Sequence, residues 1–129
     1  MIDKAISQPM FVFMKAELTE KTNDKIEELK SSLSPIFKKY NLTKVTLFGS
    51  FSNGTNSKRS DLDLLAICDT QLSFFERLDG ILKEIQLAVP VWGVDLLIYT
   101  PEEIEKIKHR TFIRNILTSG IVIYEPSQN

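Results

Sequence analysis

Apolar positions along the chain follow two different periods. Between residues 19 and 40, Ile26, Leu29, Leu33, Ile36, Phe37 and Tyr40 recur at three- and four-residue steps, which predicts an amphipathic helix. Thr22 or Asn23 can cap its start, and Pro35 predicts a kink or break near Ser34. A second stripe, Phe74, Phe75, Leu78, Ile81, Leu82, Ile85 and Ala88, predicts a helix over residues 73–88. Gly80 lowers that helix's propensity without forbidding it. Shorter runs have strand character. Lys44-Val45-Thr46-Leu47-Phe48 is rich in β-branched and aromatic residues, and Leu64-Leu65-Ala66-Ile67-Cys68 is continuously apolar, as in a strand buried on both faces. In residues 93–99 a single acid interrupts another apolar strand, with Val94, Leu96 and Ile98 sharing one face. Thr100 caps a third helix begun by Pro101-Glu102-Glu103, with His109 and Arg110 near its end, where a cation is favourable. A short helix over residues 111–119 stops at Gly120, and residues 121–124 form a last strand. The order predicts an α/β (α+β) domain, a mixed sheet with helices packed mainly on one face.

Length and charge narrow the picture. The 129 residues support one domain. Residues 1–18 stand apart as an N-terminal segment, 19–125 as the folded domain and 126–129 as a tail. The apolar run Pro9-Met10-Phe11-Val12-Phe13-Met14 reads as an edge strand, a partner contact or ordinary packing onto the domain. Sixteen basic against 17 acidic residues argue against a dedicated nucleic-acid binder. The single cysteine, Cys68, excludes an intramolecular disulfide and reads as a small core residue, and one histidine excludes a histidine-cluster zinc site. No apolar run approaches the length of a membrane span, and the N-terminus lacks a signal peptide's pattern, so a cytoplasmic location is expected.

The chemistry concentrates in residues 49–63. Gly49 permits a tight exit from the strand before it, and Ser50 places hydroxyl and amide groups at the mouth of a short helix. After a ten-residue insert come Asp61 and Asp63, whose side chains project the same way on a strand while Leu62 and Leu64 face inward. Two carboxylates side by side repel by about 3 kcal/mol at a ~5 Å gap and an effective dielectric near 20. A hard divalent cation reverses that sign, and Mg²⁺ suits a site with one or two carboxylates and substrate phosphates. A solvated strand end that binds nothing is the plainer reading of Asp-x-Asp alone. A third acid, Asp95, lies on the face shared with Leu97 and Tyr99, and is costly there unless it is paired with a lysine or bound to a cation. Three aspartates beside a Gly-Ser turn favour metal-assisted phosphoryl or nucleotidyl transfer.

Gly49-Ser50, the ten-residue insert, Asp61-Leu62-Asp63 and Asp95 resemble the signature of the polymerase-β-like nucleotidyltransferases, and most closely the minimal nucleotidyltransferase group. The similarity runs from about Thr22 to Glu125 and includes the Pro-Glu-Glu helix and the Ile-Val-Ile-Tyr-Glu ending. The resemblance implies that Gly49 and Ser50 hold the triphosphate and that Asp61 and Asp63 bind two Mg²⁺ ions. It implies that Asp95 completes the second ion's site and helps lower the acceptor hydroxyl's pKa. Gly54 matches the second glycine of the family's loop, while Asn53, Lys58 and Arg59 neither support nor weaken the match. Lys58 and Arg59 read as a solvated loop or as phosphate contacts. Many minimal members pair with an all-helical HEPN ribonuclease as toxin and antitoxin, and can transfer AMP to a tyrosine of the toxin. The implied activity is transfer of AMP from ATP to a hydroxyl on such a partner. The alternatives are a non-catalytic antitoxin, and transfer to a small molecule such as an aminoglycoside. A domain this short of its own acceptor pocket also suggests a partner subunit or an oligomer.

Overall fold

The computed structural model describes residues 9–49 and 61–126, with side chains from Asn23 onward. Helix α1, Pro9–Lys39, buries Ile26, Leu29, Leu33 and Phe37 along one face. The apolar run at residues 9–14 belongs to this helix, not to an edge strand. Pro35 does not break α1 as its chemistry predicts. Proline in a helix interior costs about 3 kcal/mol, while fully burying Leu33 and Phe37 on either side of it returns about 1.5–3 kcal/mol each. Packing wins. The Ser34 hydroxyl donates to the Lys30 carbonyl, 2.5 Å away, one turn back. Beyond the helix Asn41 takes a left-handed φ of 59°. The Asn41 amide then donates to Lys38 and that of Leu42 to Phe37, a Schellman closure that turns Leu42 into the core.

Four strands follow, β1 (Lys44–Phe48), β2 (Leu62–Ile67), β3 (Val94–Tyr99) and β4 (Ile121–Tyr124), in the sheet order β3-β2-β1-β4. β1 pairs antiparallel with both β2 and β4, while β2 and β3 run parallel. A parallel pair needs a crossover, and helix α2 (Ile81–Ala88) provides it. The continuous helix expected over residues 73–88 is instead a 3₁₀ turn at Glu76–Leu78, a reversal at Gly80 and then α2. Gly80 has φ +82°, and a Cβ there would lie 2.8 Å from the Tyr40 hydroxyl oxygen. That hydroxyl donates to Glu84, which also receives the Lys39 ammonium at 3.0 Å. The end of α1 thus sits against the start of α2, where a helix with a side chain at 80 would not fit. Phe75, expected on the buried stripe, is 80% exposed.

Alternation divides the sheet into two faces. Val45, Leu47, Leu62, Leu64, Leu96 and Ile98 pack with α1 and α2 in the larger core. The opposite face is only partly covered, by Ile104 of α3 (Pro101–Ile107) and Ile113 and Ile116 of α4 (Thr111–Ser119) around Leu65. Among the described residues two helices thus lie on each face, the longest, α1, over the larger core. Thr100 caps α3 through a reciprocal pair with Glu103, the capping box that the Thr-Pro-Glu-Glu run encodes. α4 stops at Gly120, where a Cβ would meet the Ile116 carbonyl at 2.6 Å and the Thr46 methyl at 2.4 Å. Among the described residues no helix is long and apolar enough to cross a membrane.

Candidate active site

The partly covered face is bare at one end, where β2 and β3 begin. Their parallel register sets Asp63 opposite Asp95, Leu64 opposite Leu96 and Leu62 opposite Val94. Leu62 and Leu64 are buried in the larger core, so Asp63 and Asp95 share the other side of the sheet. The two carboxyl groups meet there. Burial first, then hydrogen bonding with Asp95, then the charges of Asp95 and Asp61 push the Asp63 carboxyl above the usual carboxylate range. Asp95 is exposed, so it does not carry the burial cost that its apolar strand suggests, and no lysine pairs with it among the described residues.

Asp61 immediately precedes β2, and the same register continued one step back sets it beside Gly93. A Cβ on Gly93 would lie 2.3 Å from Oδ1 of Asp61, so the carboxylate rests where any other residue would put its side chain. The Leu62 amide donates to the Gly93 carbonyl at 2.8 Å and fixes the approach. Gly49, just beyond β1, has φ +80°, and a Cβ there would lie 2.2 Å from Oδ2 of Asp63. Each of these two aspartates is thus seated against a glycine. The role of Gly49 as a sharp exit from β1 is legible in the sequence. Gly93 is the residue that sequence reasoning passes over, because its partner is known only once β2 and β3 are paired. A glycine directly before an acid-bearing strand is the only hint.

Asp61, Asp63, Asp95 and Gly49 are therefore neighbours at one end of the sheet. Ser50, with Asn53, Gly54, Lys58 and Arg59, lies outside the described residues. His109 and Arg110 are exposed between α3 and α4. Cys68 follows β2 and packs partly buried against the larger core, and burial pushes its thiol up, away from the reactive thiolate. An open groove of about 550 Å³ runs over Asp63 and Asp95, walled by Phe48, Gly49, Leu97 and Phe112.

The donor set consists of hard carboxylate oxygens, the chemistry that suits Mg²⁺. Among the described residues no three acidic, histidine or cysteine side chains already converge as a metal-binding group. Asp63 and Asp95 are in contact, and Asp61 reaches Asp63 through its charge. The fit lies in the crowded carboxylates, which a cation would relieve, and in the glycines that make room for them.

Two solved structures have the same fold. A toxin–antitoxin crystal structure with AMP-PNP matches with a TM-score of 0.56 at 19% identity, over 77% of this chain and 75% of that one. A Sulfolobus solfataricus protein taken to be a nucleotidyltransferase matches with a TM-score of 0.54 at 16% identity, over 87% of this chain and 90% of that one. No curated protein sequence matches the chain. The family model described as polymerase beta, nucleotidyltransferase, matches residues 31–129, which takes in the sheet and all three aspartates, and the chain belongs to that family.

Proposed function

We propose that the protein transfers a nucleoside monophosphate, AMP from ATP, to a hydroxyl of a partner protein, with Asp61, Asp63 and Asp95 holding Mg²⁺. The observation that carries this reading is the pairing of Asp63 with Asp95 across two parallel strands at the bare end of the sheet. Like charges are pressed together there, in a family whose activity is nucleotidyl transfer. Bound Mg²⁺ would supply neutralisation of the triphosphate and a lower pKa for the acceptor hydroxyl. Gly49 brings the chain close to Asp63, and Ser50 follows it to bind the β and γ phosphates. The acceptor oxygen forms a bond to the α-phosphorus as the bond to the β-phosphate oxygen breaks, and pyrophosphate leaves with that electron pair. Asp95, the exposed member of the pair, faces the acceptor and takes its proton. Rate enhancement comes from positioning and electrostatic stabilisation.

The likeness to a toxin–antitoxin crystal structure with AMP-PNP supports a toxin as the partner, which we take to be of the all-helical HEPN type that the family resemblance implies. A second reading, an antitoxin that masks its toxin without chemistry, draws on the absence of a ready-made metal group among the described residues. One experiment separates the two. The chain is incubated with ATP labelled in its α-phosphate, Mg²⁺ and the co-encoded helical protein. Label on the partner that Asp61→Asn abolishes supports the enzyme, and a stable unlabelled complex refutes it in favour of the mask.

A further inference from the structure

Beside the groove, a second and smaller cavity of about 180 Å³ opens between the end of β1 and one face of α4. Phe112, Asn115, Ile116 and Ser119 line it at the three- and four-residue spacing of a single helix face, and Gly120 closes its far end. Phe48, Gly49 and Phe112 border both cavities, so one nucleotide can occupy the two at once. The slot is smaller than the 300 Å³ or so at which pockets for drug-sized ligands begin, and suits one planar ring system better than a whole ligand.

Its lining is specific. Phe48 and Phe112 meet edge to face, with centroids 5.8 Å apart at 84°, and Phe112 remains 58% exposed. An aromatic residue so open, on a helix anchored by buried Ile113 and Ile116, is a rigid platform presented to a ligand. Asn115, one turn further along, carries an amide donor and an acceptor. Among the described residues no hydrogen bond ties that side chain to the protein. An amide of this kind pairs with both the amino group and the ring nitrogen on one edge of adenine, whereas guanine presents two acceptors on that edge.

We propose that this slot is the nucleobase pocket, with Phe112 the stacking surface and Asn115 the residue that favours adenine over guanine. The proposal rests on the nucleotidyl-transfer reading and adds to it the side chains that hold and select the base. A nucleotide whose triphosphate lies over Asp63 places its base past Phe48 and onto Phe112, while the adenine edge reaches Asn115. Ser119 supplies a hydroxyl at the far end of the slot.

The test is equilibrium binding by calorimetry of the whole chain, in Mg²⁺, with ATP, GTP, CTP, UTP and inorganic tripolyphosphate. The unsubstituted protein is expected to prefer ATP over GTP. Phe112→Ala should weaken ATP binding about tenfold and leave tripolyphosphate within about twofold, since only the stacked base is lost. Phe112→Trp should retain ATP binding, and Asn115→Leu should bring ATP and GTP to within about twofold of each other. Both positions are exposed, so neither change removes core packing. Equal losses for ATP and tripolyphosphate, or full ATP binding by both Phe112→Ala and Asn115→Leu, would overturn the base pocket and leave the transferase reading standing. Failure of the unsubstituted chain to bind either ATP or tripolyphosphate would overturn both.

Discussion

The two ends of the β2–β3 pair handle charge in opposite ways. Where the strands begin, Asp63 and Asp95 face each other with Asp61 beside them and no cation among the described residues to offset them. Where β3 ends, the buried Arg77 guanidinium grips Glu103 with two hydrogen bonds, of 2.7 and 3.1 Å. It also donates to the carbonyls of Ile98 and Leu72, and Glu103 in turn accepts from the Thr100 amide. The charged groups of that clasp, Arg77 and Glu103, are both fully partnered. Hydrogen bonding from Arg77 and Thr100 holds the Glu103 carboxyl below the usual range, while burial and its acidic neighbours raise that of Asp63. One end is complete within the chain and stabilises it. At the other, no cation among the described residues offsets the carboxylates, the pattern expected of a ligand site and not of a structural clasp.

The sharpest way to break the comparison is at the acid end. Asp61→Asn removes a charge at nearly constant volume and should lower Mg²⁺-dependent transfer by about 10³-fold or more, with circular dichroism unchanged. Gly93→Ala tests the seating of that carboxylate without altering any charge. Its new Cβ would displace Asp61, and transfer should fall about 10²-fold while nucleotide binding persists. At the opposite end, Arg77→Ala should leave transfer intact and cost about 2 kcal/mol in urea unfolding, the scale of lost hydrogen bonds to charged groups. Loss of transfer in Arg77→Ala without loss of stability would erase the division between the two ends.

The smallest effect lies in the pH dependence, where the two ends carry opposite signs. Glu103 binds its proton less tightly folded than unfolded, so its contribution is present above the unfolded pKa and is lost as pH falls through the folded one. Asp63 binds its proton more tightly in the fold. Its contribution is full below the unfolded pKa and is lost as pH rises through the raised folded value. In Mg²⁺-free buffer at neutral pH, Asp63→Asn should therefore raise the melting temperature by about 4 °C, the scale of a gain of about 1 kcal/mol in a domain of this size. The gain should shrink in acid, and also on adding Mg²⁺, which relieves the same repulsion in the unsubstituted protein. An Asp63→Asn variant that melts lower than the parent at neutral pH would contradict the assigned strain.

Local signals made much of this fold legible. Lys44–Phe48, Val94–Tyr99 and Ile121–Tyr124 carry their strand character in composition, and Thr100 and Gly120 mark real helix limits. What escaped depends on partners distant in the chain. Gly80 breaks the expected helix because Tyr40 and Glu84 meet beside it, 44 residues apart in sequence. Pro35 is tolerated because Leu33 and Phe37 are held in the core. At the site, three aspartates and Gly49 stand out by type and spacing. Gly93 gains its meaning from the β2–β3 register, and the clasp of Arg77 on Glu103 spans 26 residues.

The parallel register also decides which changes in chain length the site can absorb. The crossover from Ile67 to Gly93 brings none of the three aspartates, so residues inserted in its exposed turns leave all three where they are. A single residue inserted between Val94 and Asp95 is another matter. It would turn that carboxylate through the sheet toward Leu33 and Phe37, exchanging an exposed acid beside Asp63 for a buried charge. Homologous domains with long excursions before β3 can thus share this chemistry, whereas a one-residue stutter inside the strand would end it.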